Sequence, residues 1–208
     1  MLTSPPMLFI LVFRVLPKIL AVCVLCCTTI VVWATRTPGS EAAWTRFGFE
    51  ACALPCYAGM TPGETPFRET GALLMNHVPA LDPRVISSGT SLNFFARLPV
   101  QQLAGLVRYQ TGGQVGEIRL NAVLPLDQVL VQLGAPDCIL AATVDRAPII
   151  FWERGGVSVA AVLSTNTNAY QLGASVFSLW LRVAAPPDCS LRGARSWQGF
   201  APLWVYKT

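Results

Sequence analysis

The stretch from Pro125 to Pro136, PLDQVLVQLGAP, constrains the fold more than any other part of the chain. Leu126, Val129, Leu130 and Leu133 fall at i, i+3, i+4 and i+7, which places all four on one face of a helix. Pro125 suits the first helical position, Asp127 lies where the helix dipole favours an anion, and Gly134 suits the positive φ that ends a helix. Pro136 then prevents continuation. A helix of about nine residues is too short to persist alone in water, so it must dock its apolar stripe on neighbouring strands.

The sequence around it supplies those strands. Thr65 and Pro66 predict a cap and first residue for a helix running to about His77. Alternating stretches follow at Ser91 to Leu98, Ala104 to Gln110 and Gln114 to Asn121, with Thr111-Gly112-Gly113 as a hairpin signal. After the second helix the pattern returns. Cys138 to Val144, Ile149 to Glu153 and Val157 to Leu163 read as strands, with Gly155-Gly156 as the second glycine hairpin. Ala174 to Ala184 and Leu203 to Lys207 complete the set. The order helix, strands, glycine-pair hairpin thus occurs twice, with unequal spacing.

The N-terminus is of another character. Ile19 to Ala34 carries no charge and is preceded by Arg14 and Lys18. About sixteen residues span about 24 Å as a helix, and Lys18 would snorkel to make up the difference from a bilayer core. We expect a single-pass anchor in contact with membrane lipid, with a cytoplasmic N-terminus and an extracytoplasmic remainder after about residue 35. The alternative is a signal peptide cleaved after Ala34. The hydrophobic fraction of 53% and the mean hydropathy of +0.50 reflect this segment in part. Setting Arg14 and Lys18 aside lowers the net charge of +4 to about +2, which is no nucleic-acid footprint.

Thr35 to Ala43 reads as a polar linker, after which WTRFGFEACALPCYAGM opens the folded region. The expected division is 1–35 anchor, 36–50 linker, 51–122 first unit and 123–208 second unit. The fold class is therefore α+β: an N-terminal transmembrane helix, then two tandem units of short helix plus antiparallel strands.

Outside the apolar segment there are four cysteines, Cys52, Cys56, Cys138 and Cys189. An even number in an oxidising compartment suggests two disulfides, and three pairings are open. We expect Cys52 with Cys56, closing a local loop, and Cys138 with Cys189, closing a long one. Free buried thiols are the alternative.

No chemistry stands out. His77 is the only histidine and falls at a helix end, where it complements the dipole. There is no nucleophile elbow or P-loop, and no cysteine–histidine spacing that suits a metal. The acidic residues Glu64, Glu69, Asp82, Glu117, Asp127, Asp137, Asp145 and Glu153 are scattered. No catalytic residue, metal or cofactor is expected.

Alternation puts Phe151 and Trp152 on opposite faces of their strand, so one of them faces water if the sheet is covered on one side only. With Trp180 they form the candidate partner surface.

Gly59-Met60-Thr61 before the first helix, and Leu126 to Val129 followed by Leu133-Gly134-x-Pro136-Asp137, resemble the helix-turn signature of outer-membrane assembly lipoproteins of the BamE (SmpA/OmlA) type. The related β-lactamase-inhibitor-protein fold sets two such units in tandem. The likeness covers about Tyr57 to Leu163, and the chain departs from the family in having no lipidation box. The resemblance implies an extracytoplasmic scaffold or binding module with a protein or envelope partner. The competing reading is a cell-envelope hydrolase that uses carboxylates between the two units.

Overall fold

The computed structural model describes residues 18–19, 21–25, 44–82, 86–99, 101–141, 147–164, 174–183, 188–190 and 193–199. The chain divides into two compact units, residues 1–39 and 40–208. Of the first unit, residues 18–19 and 21–25 are described, as exposed helix.

The second unit is built on one antiparallel sheet, of nine strands among the described residues. They are β1 (Ile86–Ser88), β2 (Ser91–Arg97), β3 (Gln102–Gln110), β4 (Gln114–Pro125), β5 (Cys138–Leu140), β6 (Ile149–Arg154), β7 (Val157–Leu163), β8 (Ser175–Val183) and β9 (Ala194–Ser196). Their spatial order is β1-β2-β3-β4-β8-β7-β6-β5-β9. Among the described residues the helices lying with the sheet include α1 (Thr70–His77), which continues a 3-10 turn at Phe67–Glu69, and α2 (Leu126–Leu133), besides a helical stretch at 44–46. Both glycine-pair hairpins form: Gly112 and Gly113 join β3 to β4, Gly155 and Gly156 join β6 to β7, and all four take positive φ. That is the geometry a tight hairpin demands and that residues with a Cβ resist.

One face of the sheet carries the main core. The row Leu92, Val107, Ile118, Leu181, Val159 and Trp152 crosses six strands through their registered pairs, and every member is buried. Residues 44–82 and α2 pack against it, contributing Phe47, Phe49, Tyr57, Met60, Leu74, Leu126, Val129 and Leu133. Tyr57 is fully buried, its hydroxyl donates to the Phe47 carbonyl at 2.8 Å, and burial holds its pKa well above the usual phenol range.

The core is close enough to require a missing side chain. Gly105 lies opposite Phe94, and a Cβ on Gly105 would fall 1.9 Å from the Phe94 ring.

Helix α2 docks through the expected stripe, with Leu126, Val129 and Leu133 buried and Leu130 partly so. Each fully buried side chain contributes about 2 kcal/mol. Carbonyls at and just beyond its C-terminus accept hydrogen bonds from side chains of β6. Trp152 Nε1 donates to the Gly134 oxygen at 3.0 Å, and Arg154 Nη2 donates to the Leu133 and Ala135 oxygens at 3.2 and 3.0 Å. A cation at that end also complements the helix dipole. Asp137 Oδ2 holds Arg154 Nη1 at 2.7 Å and accepts the Glu153 amide at 2.7 Å, so helix end, loop and strand are tied together.

Several expectations are corrected. The α+β class gives way to a predominantly antiparallel β fold, because the strands of the two expected units join into one continuous sheet across the β4–β8 pairing. The single-pass membrane placement, with a cytoplasmic N-terminus, is corrected too: among the described residues no helix is long and apolar enough to cross a membrane. Most of Ile19 to Ala34, including the cleavage position after Ala34, lies outside the described residues.

Smaller differences also have physical reasons. The stretch assigned to the linker reaches the core, since Trp44, Phe47 and Phe49 are buried. Pro125 ends β4 in an extended conformation, and helix α2 starts one residue later. Thr65 does not cap a helix; its Oγ1 accepts the Thr61 amide at 2.8 Å, and its carbonyl accepts the Val115 amide of β4. The strands β1 and β9, three residues each, carry no alternation long enough to read. The expected strand Leu203 to Lys207 lies outside the described residues.

Candidate interaction surface

The second face of the sheet is divided. Its middle row runs Asn93, Leu106, Arg119, Trp180, Ala160, Phe151 and Cys138, each paired with the next across neighbouring strands. At the Cys138 end the row is covered. Cys138 is bonded to Cys189 of the 188–190 turn, and Cys138, Phe151 and Ala160 form a small buried cluster with Leu140, Ile149, Ala194 and Cys189 against it. At the Asn93 end nothing among the described residues covers it. Phe95 is 47% exposed beside Leu106 and Ala104, both half-buried, and Phe177 and Val123 are exposed where the β4–β8 register shifts.

Trp180 sits at the boundary between the two halves. One edge packs on the covered cluster, while the Arg119 guanidinium lies over its ring, 4.5 Å from Cζ to the centroid. Such a stack contributes about 1 kcal/mol and fixes the plane of the guanidinium. The indole Nε1 donates to Ser178 Oγ at 2.6 Å, and Ser178 Oγ donates to Asn121 Oδ1 at 2.7 Å, so the ring is held in place from both sides.

A charged row lies beside this one: Arg108, Glu117, Arg182, Ser158 and Glu153 are successive cross-strand partners. Glu117 accepts from Arg108 Nη1 at 3.2 Å and from Arg119 Nη2 at 2.9 Å. Glu153 has its pKa raised, first by desolvation on burial, with Asp137 adding to the rise. A groove of about 450 Å³ opens here between Arg108 and Arg182, floored by Glu117 and Gly116 and walled by Tyr109 and Thr111.

The residues singled out by sequence fall on both sides of the division. Trp180 is half-buried at the boundary between the halves. Phe151 is corrected from surface to interior, because the disulfide-held turn covers it, and Trp152 is corrected likewise, because its face is the main core. Cys52 pairs with Cys56 and Cys138 with Cys189, the pairing expected. Sequence reasoning missed Arg119, Phe95 and Phe177. Arg119 and Phe95 stand at alternating positions of recognised strands, which was the available signal, but only the sheet order brings them together.

Among the described carboxylates, Asp137 and Glu153 lie within electrostatic reach of each other. Strands β4 and β8 carry one carboxylate between them, Glu117, and it is engaged by two arginines. Asp137 is bound by Arg154. His77 is exposed in the last turn of α1, and no metal-ligating cluster occurs among the described residues. A second groove, of about 610 Å³, lies between Trp44, Glu50 and α2, lined there by Asp127, Gln128, Val131 and Gln132; Asp145 lies outside the described residues.

No family model matches the chain, and no curated protein matches it. Among solved structures, the crystal structure of a DUF4309 family protein (YjgB) from Bacillus subtilis is similar at 12% identity. The match covers 68% of this chain and 97% of that one, with a TM-score of 0.42, a level that carries no argument about function.

Proposed function

We propose that the chain is a protein-binding module whose partner docks on the bare half of the second sheet face, over β2, β3, β4 and β8. The observation that carries this is the contrast within one face. Half is closed by a disulfide-held turn, while the other presents Phe95, Leu106, Trp180 and Phe177 around an oriented arginine. Aromatic residues and arginine dominate binding energy at protein interfaces, and an apolar centre within a polar rim is their usual anatomy. The resemblance of residues 57–163 to BamE-type domains, which bind other proteins, points the same way. The two disulfides suit work in an oxidising compartment.

The test is positional photocrosslinking in producing cells, with the photoreactive residue at Phe95 or Phe177 and, as a control, at Val131, which is 83% exposed on α2. Adducts of one defined mass from the two sheet positions and none from Val131 are expected. Equal labelling from all three would contradict the proposal.

A further inference from the structure

From the settings of the two disulfides we infer a second activity: the Cys52–Cys56 bond is a thiol–disulfide exchange site whose substrate is a dithiol. It belongs to the segment 44–82, which packs on the main-core face, so it is separate from the docking surface proposed above. The Cys138–Cys189 bond is the contrast. Cys138 is 3% exposed, and its bond spans 51 residues and holds a cover in place. Cys52 and Cys56 are half-buried, Ala51 and Ala53 beside them are exposed, and the two cysteines stand four residues apart. A bond across so short a loop restricts the unfolded chain less, and its sulfurs can be reached by a thiol. Nor does the local fold hang on it alone. Phe49, Leu54, Tyr57 and Met60 are buried on either side, and the Cys56 amide donates to the Ala53 carbonyl at 3.1 Å, so the loop keeps its anchors with the bond open.

A fixed turn aims a donor at one of the two sulfurs. Tyr57 and Met60 exchange both backbone hydrogen bonds, at 2.9 and 2.8 Å, around Ala58 and Gly59, whose φ values are 49° and 79°. Ala58 thus holds a left-handed conformation that a residue with a Cβ keeps only where its surroundings impose it. The Gly59 amide donates to Cys52 Sγ at 3.3 Å. That bond strengthens when its acceptor becomes a thiolate, which makes Cys52 the better leaving group of the pair. Glu50, two residues before Cys52, accepts from Thr45 Oγ1. His77, the only histidine, lies at the same turn, since a Cβ built on Gly59 would come 3.6 Å from its Nε2. Its exposed imidazole is a proton acceptor for an incoming thiol.

The exchange balances without a further reagent. A thiolate of the substrate attacks Cys56 Sγ, the Cys52–Cys56 bond breaks, and its electron pair leaves on Cys52. The second substrate thiolate then attacks the substrate sulfur of the mixed disulfide, which closes a substrate disulfide and releases Cys56. The substrate loses two electrons and two protons, and Cys52 and Cys56 gain them as thiols.

The experiment uses the full chain with both bonds formed. In a glutathione buffer, followed by differential alkylation and peptide mapping, Cys52–Cys56 is expected to open roughly a hundredfold faster than Cys138–Cys189, with the first glutathione adduct on Cys56. A reduced synthetic peptide with two cysteines is expected to gain one disulfide per chain as Cys52–Cys56 opens. The rates with this peptide and with dithiothreitol, compared at equal thiol, say whether the substrate is a polypeptide or a small dithiol. In single variants, Cys52 of Cys56→Ser is expected to alkylate roughly tenfold faster at neutral pH than Cys56 of Cys52→Ser. Opening of the two bonds at equal rates, or a peptide that stays reduced, would overturn the inference and leave Cys52–Cys56 a structural bond. Equal alkylation of the two single variants, or a first adduct on Cys52, would overturn the roles assigned to the two sulfurs.

Discussion

Phe151 and Phe95 stand on the same face of the same sheet, yet Phe151 is 3% exposed and Phe95 is 47% exposed. Both belong to central strands rather than edges, and each pairs with an alanine, Ala160 or Ala104, on the next strand. What differs is the cover. Over Phe151 the chain returns as the 188–190 turn and is bonded to Cys138, while among the described residues nothing returns over Phe95. Strand sequence decides which way a side chain points; only a distant segment decides whether it meets water.

The most damaging change treats a residue of the closed interior as though it were surface. Trp152→Ala removes a fully buried ring from the main core and the donor to the Gly134 carbonyl. It is expected to cost about 4 kcal/mol in urea unfolding. A loss below about 1 kcal/mol would place Trp152 at the surface after all.

Removing the cover comes next. Cys138→Ser combined with Cys189→Ser opens a bridge spanning 51 residues of chain, for an expected loss of about 3 kcal/mol. The variant should also make Phe151 reactive to carbene labelling, turning the closed half into a second bare half. Unchanged labelling would mean that the turn stays in place without its bond.

The bare half has a tight side beneath it, and that is the next contrast. Gly105→Ala puts a methyl group against the buried Phe94 ring, and overpacking there is expected to cost about 2 kcal/mol. The outward neighbours are the opposite case. Phe95→Ser with Phe177→Ser should change stability by less than about 0.5 kcal/mol while abolishing partner adducts from a photoreactive residue at Leu106. Stability falling in step with adducts would instead make these aromatics structural.

Much of the architecture was legible because its signals are local. The stripe of α2, both glycine-pair hairpins, and the strands at 91–97, 157–163 and 175–183 follow from periodicity and turn chemistry within a few residues. The cysteine pairing was accessible through loop length and spacing. What escaped is long-range. The β4–β8 pairing joins residues such as Ile118 and Leu181, and no pattern within either strand announces its neighbour, so one sheet was read as two units.

The candidate surface suffered from the same blindness. Alternation correctly separated Phe151 from Trp152, but it held no information about the turn that covers one or the core that encloses the other. Trp180 was found because it is a tryptophan in a strand. Arg119, which orients against it, was passed over because a lone arginine in an alternating strand usually marks a solvated face.

Carbene footprinting of the full chain shows whether the bare half is occupied in the cell. Labelling is compared between the purified protein and the same protein in freshly opened producing cells. Protection is expected at Phe95, Phe177 and Trp180, with Met75 and Val131, exposed on α1 and α2, labelled equally in both. Identical labelling of Phe95, Phe177 and Trp180 in the two preparations, or protection confined to Met75 and Val131, would contradict it.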